Sequence, residues 1–146
     1  MPFQFSLAAV LRYRESLEQR EYLVLEKLQQ EVALLERKVH QIEQACLAAT
    51  QDRKVQLAQG MRAADLQSAY RYQVALEKQR ELLRTQMQEA RLKWQRQLQS
   101  YKTARRKRET LDHLRSHQLA AYRQQQAKRE QNTLDDIFLS RRGRRG

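Results

Sequence analysis

Residues that break helices are almost missing from this chain. Pro2 is its only proline, and Gly60, Gly143 and Gly146 are its only glycines. Two uninterrupted segments remain, residues 3–59 and 61–142, both rich in the strong helix formers Ala, Leu, Glu, Gln, Lys and Arg. They read as two long helices joined at one hinge. Glycines so few and so scattered also exclude a glycine-rich phosphate loop. Cysteine is confined to Cys46, which rules out an internal disulfide. No apolar run approaches the ~20 residues of a membrane-spanning helix. The apolar start, residues 3–11, is too short for a signal peptide and is followed at once by Arg12, Arg14 and Glu15. The expectation is a cytoplasmic chain, at most peripheral on a membrane and with no direct membrane insertion. Acidic groups are the minority: 17 Asp and Glu face 29 Lys and Arg, a net charge of +12. Such an excess attracts nucleic acid, anionic lipid or an acidic protein surface, and composition does not choose among them.

What is present is a stripe. Leu25, Leu28, Val32, Leu35, Val39, Ile42, Cys46 and Ala49 follow one another at alternating spacings of three and four. That is the heptad rhythm of a coiled coil, one narrow apolar seam with polar side chains between. A helix with so little other apolar surface needs a single partner helix rather than a globular core. Cys46 falls on this seam and reads as packing, not as a reactive thiol. Toward the start, Leu7, Val10, Leu17 and Val24 suggest an earlier seam that shifts phase by a residue to join the main stripe. Ser6 reads as the N-cap, with Phe5 stapled onto Val10.

After the hinge, Asp65 reads as an N-cap and a second, less pure stripe begins at Leu66. It runs through Ala69, Gln73, Leu76, Arg80, Leu83, Met87, Ala90, Trp94 and Gln97. It continues through Tyr101, Ala104, Arg108, Leu111, Arg115 and Gln118 to Tyr122. Folding back at Gly60 gives an all-α antiparallel coiled-coil hairpin in which facing residue numbers sum to roughly 120–126. That places Trp94 near Leu25 and Leu28, Arg80 near Glu43, and Arg108 near Glu15 and Glu18. The expected bounds form a single domain: helix one about 6–58, hinge about 59–65, helix two about 66–139, and a disordered basic tail at 140–146. At 1.5 Å per residue helix one spans ~80 Å and helix two ~110 Å. An overhang of roughly 118–139 therefore has no partner in its own chain, and a lone helix of that length is marginal in water. Thr133 followed by Asp135 and Asp136 resembles a fresh helix start, so the overhang either breaks near Asn132 or runs on. Ile137, Phe138 and Leu139 gather apolar side chains near its end.

Catalytic chemistry finds no home here. A two-helix hairpin has almost no concave interior. His113 and His117 stand four apart on one helix face, but no HExxH motif, cysteine or acidic ligand set accompanies them, and His40 is alone. No catalytic residue, metal or cofactor is expected. The basic run at 102–108 reads either as a solvated basic face or as a nonspecific nucleic-acid contact; specific nucleic-acid recognition is not expected. Tyr70, Tyr72 and Val74, close to the hinge, fall partly outside the seam near Lys38, Ile42 and Ala45. They are either protein anchors or a cover for the seam edge.

A resemblance joins these features. Phe3, Phe5, Leu7, Val10, Leu11, Tyr13 and Arg14, the aromatic-rich stretch at 70–83, Trp94, and Leu134-Asp135-Asp136 before an Arg-rich end resemble the FliJ family of flagellar export proteins. It covers nearly the whole chain. It implies a small non-enzymatic component of the flagellar type III export apparatus, an antiparallel coiled coil similar to the stalk of rotary ATPases. The implied partners are the hexameric flagellar export ATPase, the cytoplasmic domain of the membrane export gate, and export chaperones. By position, the ring-facing residues would be Phe3, Phe5, Leu7, Tyr13 and the 134–139 segment, including Leu134, Asp135, Ile137 and Phe138. The gate-facing patch would centre on Ile42, Tyr72, Leu76 and Leu83, with Lys38, Ala45 and Ala49 nearby. A stalk from a virulence secretion system of the same design is the alternative within this resemblance.

Overall fold

The computed structural model describes residues 2–145 of the chain. Helix α1 spans Ala8–Gln59 and helix α2 spans Ala63–Arg145, and no strand occurs among the described residues. The two helices pack against each other as an antiparallel hairpin. The turn is residues 60–62. Gly60 sits at φ +86°, the left-handed conformation that ends helices, and its N–H reaches the Leu57 carbonyl at 3.4 Å. Nothing lies within 4 Å of where a Cβ would be, so only the backbone demands glycine. Gly60→Ala is therefore expected to cost about 1 kcal/mol, seen as a lower midpoint in urea unfolding. Gly143, helical and equally open, should accept alanine without loss.

Both helix starts differ from expectation. The first intrahelical bond of α1 runs from the Leu11 N–H to the Leu7 carbonyl at 2.9 Å, which makes Leu7 the cap and leaves Ser6 in the preceding turn. In α2 the Leu66 N–H bonds the Arg62 carbonyl at 3.1 Å, so Arg62 is the cap. Asp65 instead lies in the first turn, where its charge favours the positive helix end.

The described chain divides into two compact units. The first is Glu21–Tyr101, which contains the turn. The stripe read from sequence is its seam. Leu25, Val39, Ile42, Cys46, Leu76 and Ala90 are buried. Leu28, Val32, Leu35, Ala49 and the intervening α2 seam positions are part-buried. Ile42, Cys46 and Leu76 form one cluster, with Ala45, Ala49 and Leu83 packed against it. Two polar seam positions, Gln73 and Gln97, are bonded across the hairpin, while Arg80 Nε and Trp94 Nε1 are buried without a hydrogen-bond partner. Gln73 accepts from Arg53 Nη1 at 3.0 Å, and Gln97 Nε2 donates to the Glu21 carbonyl at 2.9 Å. Ion pairs flank the seam, Arg84 to Glu43 at 2.8 Å and Arg91 to Glu36 at 3.0 Å. The hydrogen bond from Arg84 holds the Glu43 carboxyl below its usual pKa. Glu43 thus pairs with Arg84, and Arg80, expected beside it, lies near enough to lower the pKa of the same carboxyl as well. Trp94 lines a groove with Gln29, Val32 and Ala33, beginning one residue past Leu28 of the expected pair Leu25 and Leu28. Tyr22 and Tyr101 pack at 5.8 Å between ring centroids.

The second unit joins Met1–Arg20 with Lys102–Gly146. Phe5 and Leu11 are its buried side chains, and Phe3 packs on Tyr122 with ring centroids 5.6 Å apart. The seam here is Leu11, Arg14 and Glu18, all sheltered, while Leu7 and Val10 are exposed. The expected phase shift does not occur. These positions continue the main stripe backward at spacings of three and four through Glu21 and Leu25. The apolar residues misled because this part of the seam is held by charge. Arg108 grips Glu18 with two guanidinium nitrogens, at 2.5 and 3.1 Å, and Asp112 with a third contact at 2.7 Å. Those bonds hold the Arg108 guanidinium above its ordinary pKa. This ion pair is also the most sheltered in the described chain, at 24% and 17% side-chain exposure.

Past Tyr122 the described residues of helix α2 are, with one exception, exposed. Gln126 is part-buried, and every residue from Ala127 to Arg144 is exposed. The unpaired segment therefore begins near residue 123 rather than 118. It runs unbroken past Asn132, where the Thr133 hydroxyl donates to the Arg129 carbonyl at 2.8 Å instead of capping a new helix. The helix also continues to Arg145, where a disordered tail was expected; nothing between Leu139 and Arg145 breaks it except Gly143, whose cost is modest. Gly146 lies outside the described residues.

Candidate protein-interaction surfaces

In the Glu21–Tyr101 unit, Lys38, Gln41, Ile42, Ala45, Gln79 and Leu83 line a groove of about 420 Å³. The small Ala45 side chain opens it, and buried Ile42 forms part of its floor. Tyr72, Leu76, Gln79 and Leu83 follow at spacings of four, three and four, so they share one face of α2. Of the five residues singled out for the gate, the structure gathers Lys38, Ile42 and Leu83 at this groove. Leu76 is inside, 8% exposed and packed with Ile42 and Cys46. Tyr72, at 59% exposure, projects one turn closer to the hinge. Tyr70 is exposed as well, but its ring is stacked by the Arg53 guanidinium at 5.7 Å.

In the second unit, Phe5 serves internal packing. Phe3 is part-buried on Tyr122, and Leu7 and Tyr13 remain exposed, with Arg14 reaching to 5.8 Å from the Tyr13 ring. Leu134, Ile137, Phe138 and Leu139 expose 45–64% of their surface on the unpaired segment. Asp135 there accepts a hydrogen bond from Gln131 at 3.2 Å. The 134–138 residues lie twelve or more positions beyond Tyr122, about 18 Å along the helix at least. They are thus not in one cluster with Phe3 or Phe5. Sequence reading missed a further groove lined by Phe3, Phe5, Leu11, Arg12, Glu15 and Arg115. Its signal was Arg115, the one position of the second stripe left exposed.

The basic run is partly spoken for. Arg108 is in the seam on Glu18, and Arg105 pairs with Glu109 at 2.8 Å. No group of three or more metal-ligating side chains occurs among the described residues, and no described helix is long and apolar enough to cross a membrane.

Fold and surfaces together define a coiled-coil hairpin with four exposed large apolar side chains on an unpaired helical segment and an open groove in the turn-bearing unit. The family model of the flagellar FliJ protein matches residues 3–146, essentially the whole chain. The chain belongs to the FliJ family and is a flagellar export-related coiled-coil protein. No curated protein and no solved structure matches it.

Proposed function

We propose that the protein is a non-enzymatic stalk of the flagellar type III export apparatus. In this reading the unit holding residues 2–20 and 102–145 enters the ring of the hexameric export ATPase and promotes its assembly and activity. The turn-bearing unit touches the cytoplasmic domain of the export gate, and export chaperones are handled by the same protein. Its place is then the cytoplasmic face of the inner membrane at the flagellar base. Membership of the family supports this, but one observation carries it: a long, unpaired, fully exposed segment of α2 bearing four large apolar side chains. Exposed apolar clusters of that kind mark partner surfaces. The net charge of +12 favours an acidic partner and adds encounter rate and orientation.

The test is hydrolysis of ATP by the purified export ATPase, with and without the full chain. Stimulation that saturates with added protein is expected. A second reading, nonspecific nucleic-acid binding, draws on the same charge. It predicts binding whose log affinity falls steeply with log salt and no effect on the ATPase.

A further inference from the structure

The two units are held together by different means. Of the buried apolar side chains among the described residues, six belong to the turn-bearing unit and two, Phe5 and Leu11, to the unit that carries both chain ends. In that second unit the stripe of α1 passes from Leu11 through Arg14 to Glu18, and the stripe of α2 passes through Arg108 and Arg115. Charged groups therefore stand where the turn-bearing unit places leucine, valine and isoleucine. The Glu18 carboxylate meets the Arg108 guanidinium across the seam, and Asp112 holds Arg108 from its own helix.

The segments joined by this pair are of like sign. Residues 2–20 carry three arginines against two glutamates, and residues 102–122 carry six Lys and Arg against two acidic residues. Arg12 and Arg115 line one groove, with Glu15 as the one acidic group of its lining. Like charges on paired helices oppose their closure.

We infer that the end-bearing unit is a clasp: residues 8–20 separate from α2 as one piece while Glu21–Tyr101 stays closed, and the Glu18–Arg108 pair sets how often they do. An ion pair on a seam is a weak substitute for apolar packing, because the cost of removing water from both charges offsets much of their attraction. Local openings are drawn from the parts of a protein with few buried apolar contacts. Here that part includes the start of α1, so it can open without disturbing the seam at Leu25, Val39 and Ile42. Opening uncovers Phe5, Leu11 and the Tyr122 ring on which Phe3 packs. It also moves the start of the unpaired stretch of α2 back from about residue 123 to about residue 102. None of this depends on the stalk reading.

The experiment is native-state amide hydrogen exchange on the full chain, resolved residue by residue. A clasp gives residues 12–20 one common rate, about tenfold or more above that of residues 25–49, with a step near Glu21. Protection that climbs gradually from the start of α1 is ordinary end fraying and would overturn the proposal, as would a single rate for both stretches. Arg108→Ala leaves Glu18 without its cation. It should raise the rate at 12–20 by about tenfold or more and leave that at 25–49 within about twofold. Glu18→Gln, a milder change, should act in the same direction by a smaller factor. Equal acceleration of both stretches, or none at 12–20, would overturn the pair as the latch. Glu18→Leu with Arg108→Leu puts apolar side chains on both seam positions and should slow exchange at 12–20 below the wild-type rate. Exchange faster than wild type in that variant would contradict the proposal too.

Discussion

Removal of residues 134–146 is expected to abolish stimulation of the export ATPase while leaving the hairpin folded. Residues 134–144 are all exposed, so their loss takes nothing from the seam, and the thermal midpoint should stay where it is. What disappears is four large apolar side chains with 45–64% of their surface in water. Anchors of that size commonly carry a large share of binding energy, and a loss beyond about tenfold in affinity is the scale expected. Parallel assays of hydrolysis and circular dichroism check both halves. Unchanged stimulation by the truncated chain would move the ring contact to Leu7, Tyr13 or the Arg12–Arg115 groove. A lowered midpoint would mean that the segment supports the hairpin after all.

The second large effect separates packing from contact in the turn-bearing unit. Leu76→Ala should destabilise that unit by about 2–3 kcal/mol, since it opens a hole against Ile42 and Cys46. Tyr72→Ala, one turn away and 59% exposed, removes nothing from that cluster. It should leave the unfolding midpoint nearly unchanged, lower binding to the cytoplasmic domain of the export gate, and spare ATPase stimulation. Urea unfolding read beside gate binding distinguishes them. If Tyr72→Ala keeps full gate affinity and Lys38→Glu does too, the groove at Lys38, Ile42 and Leu83 is not the gate contact. If ATPase stimulation falls with gate binding, the two surfaces do not act separately.

How much of this was legible beforehand depended on what held each part of the seam. Between Leu25 and Ala49 eight apolar residues keep the three-four spacing, against Ala33, Leu34, Ala45, Leu47 and Ala48 off it, so the rhythm defined the helix face that the structure buries. Near the start the seam is Arg14 and Glu18, and Leu7 and Val10 point to solvent. A reading that follows apolar residues goes to the wrong phase there, although Arg108 had already been placed beside Glu18. Cross-hairpin contacts land within about a turn of the expected register: Arg80 lies near Glu43 as expected but Arg84 makes the ion pair, and Trp94 shares a groove with Gln29 and Val32. Neighbouring turns of one face satisfy the same sum of residue numbers almost equally, which sets that resolution. The overhang was legible from helix lengths alone. So was the apolar group of Ile137, Phe138 and Leu139 near its end, which lies side by side in the sequence. Phe5 marks a limit. By resemblance it faces a partner, yet the structure places it 8% exposed inside its own unit.

The central claim is that one chain doubles back at Gly60, so that α2 outruns its partner. Spin labels at positions 36 and 91, in a Cys46→Ala background, address it directly, because Glu36 and Arg91 touch at 3.0 Å across the seam. A hairpin predicts a label separation of about 20 Å or less, as packed helices 8–10 Å apart allow, unchanged when labelled chain is diluted with unlabelled chain. A separation near 80 Å, the length of 55 residues of continuous helix at about 1.5 Å each, would contradict it. So would a short distance that vanishes on dilution.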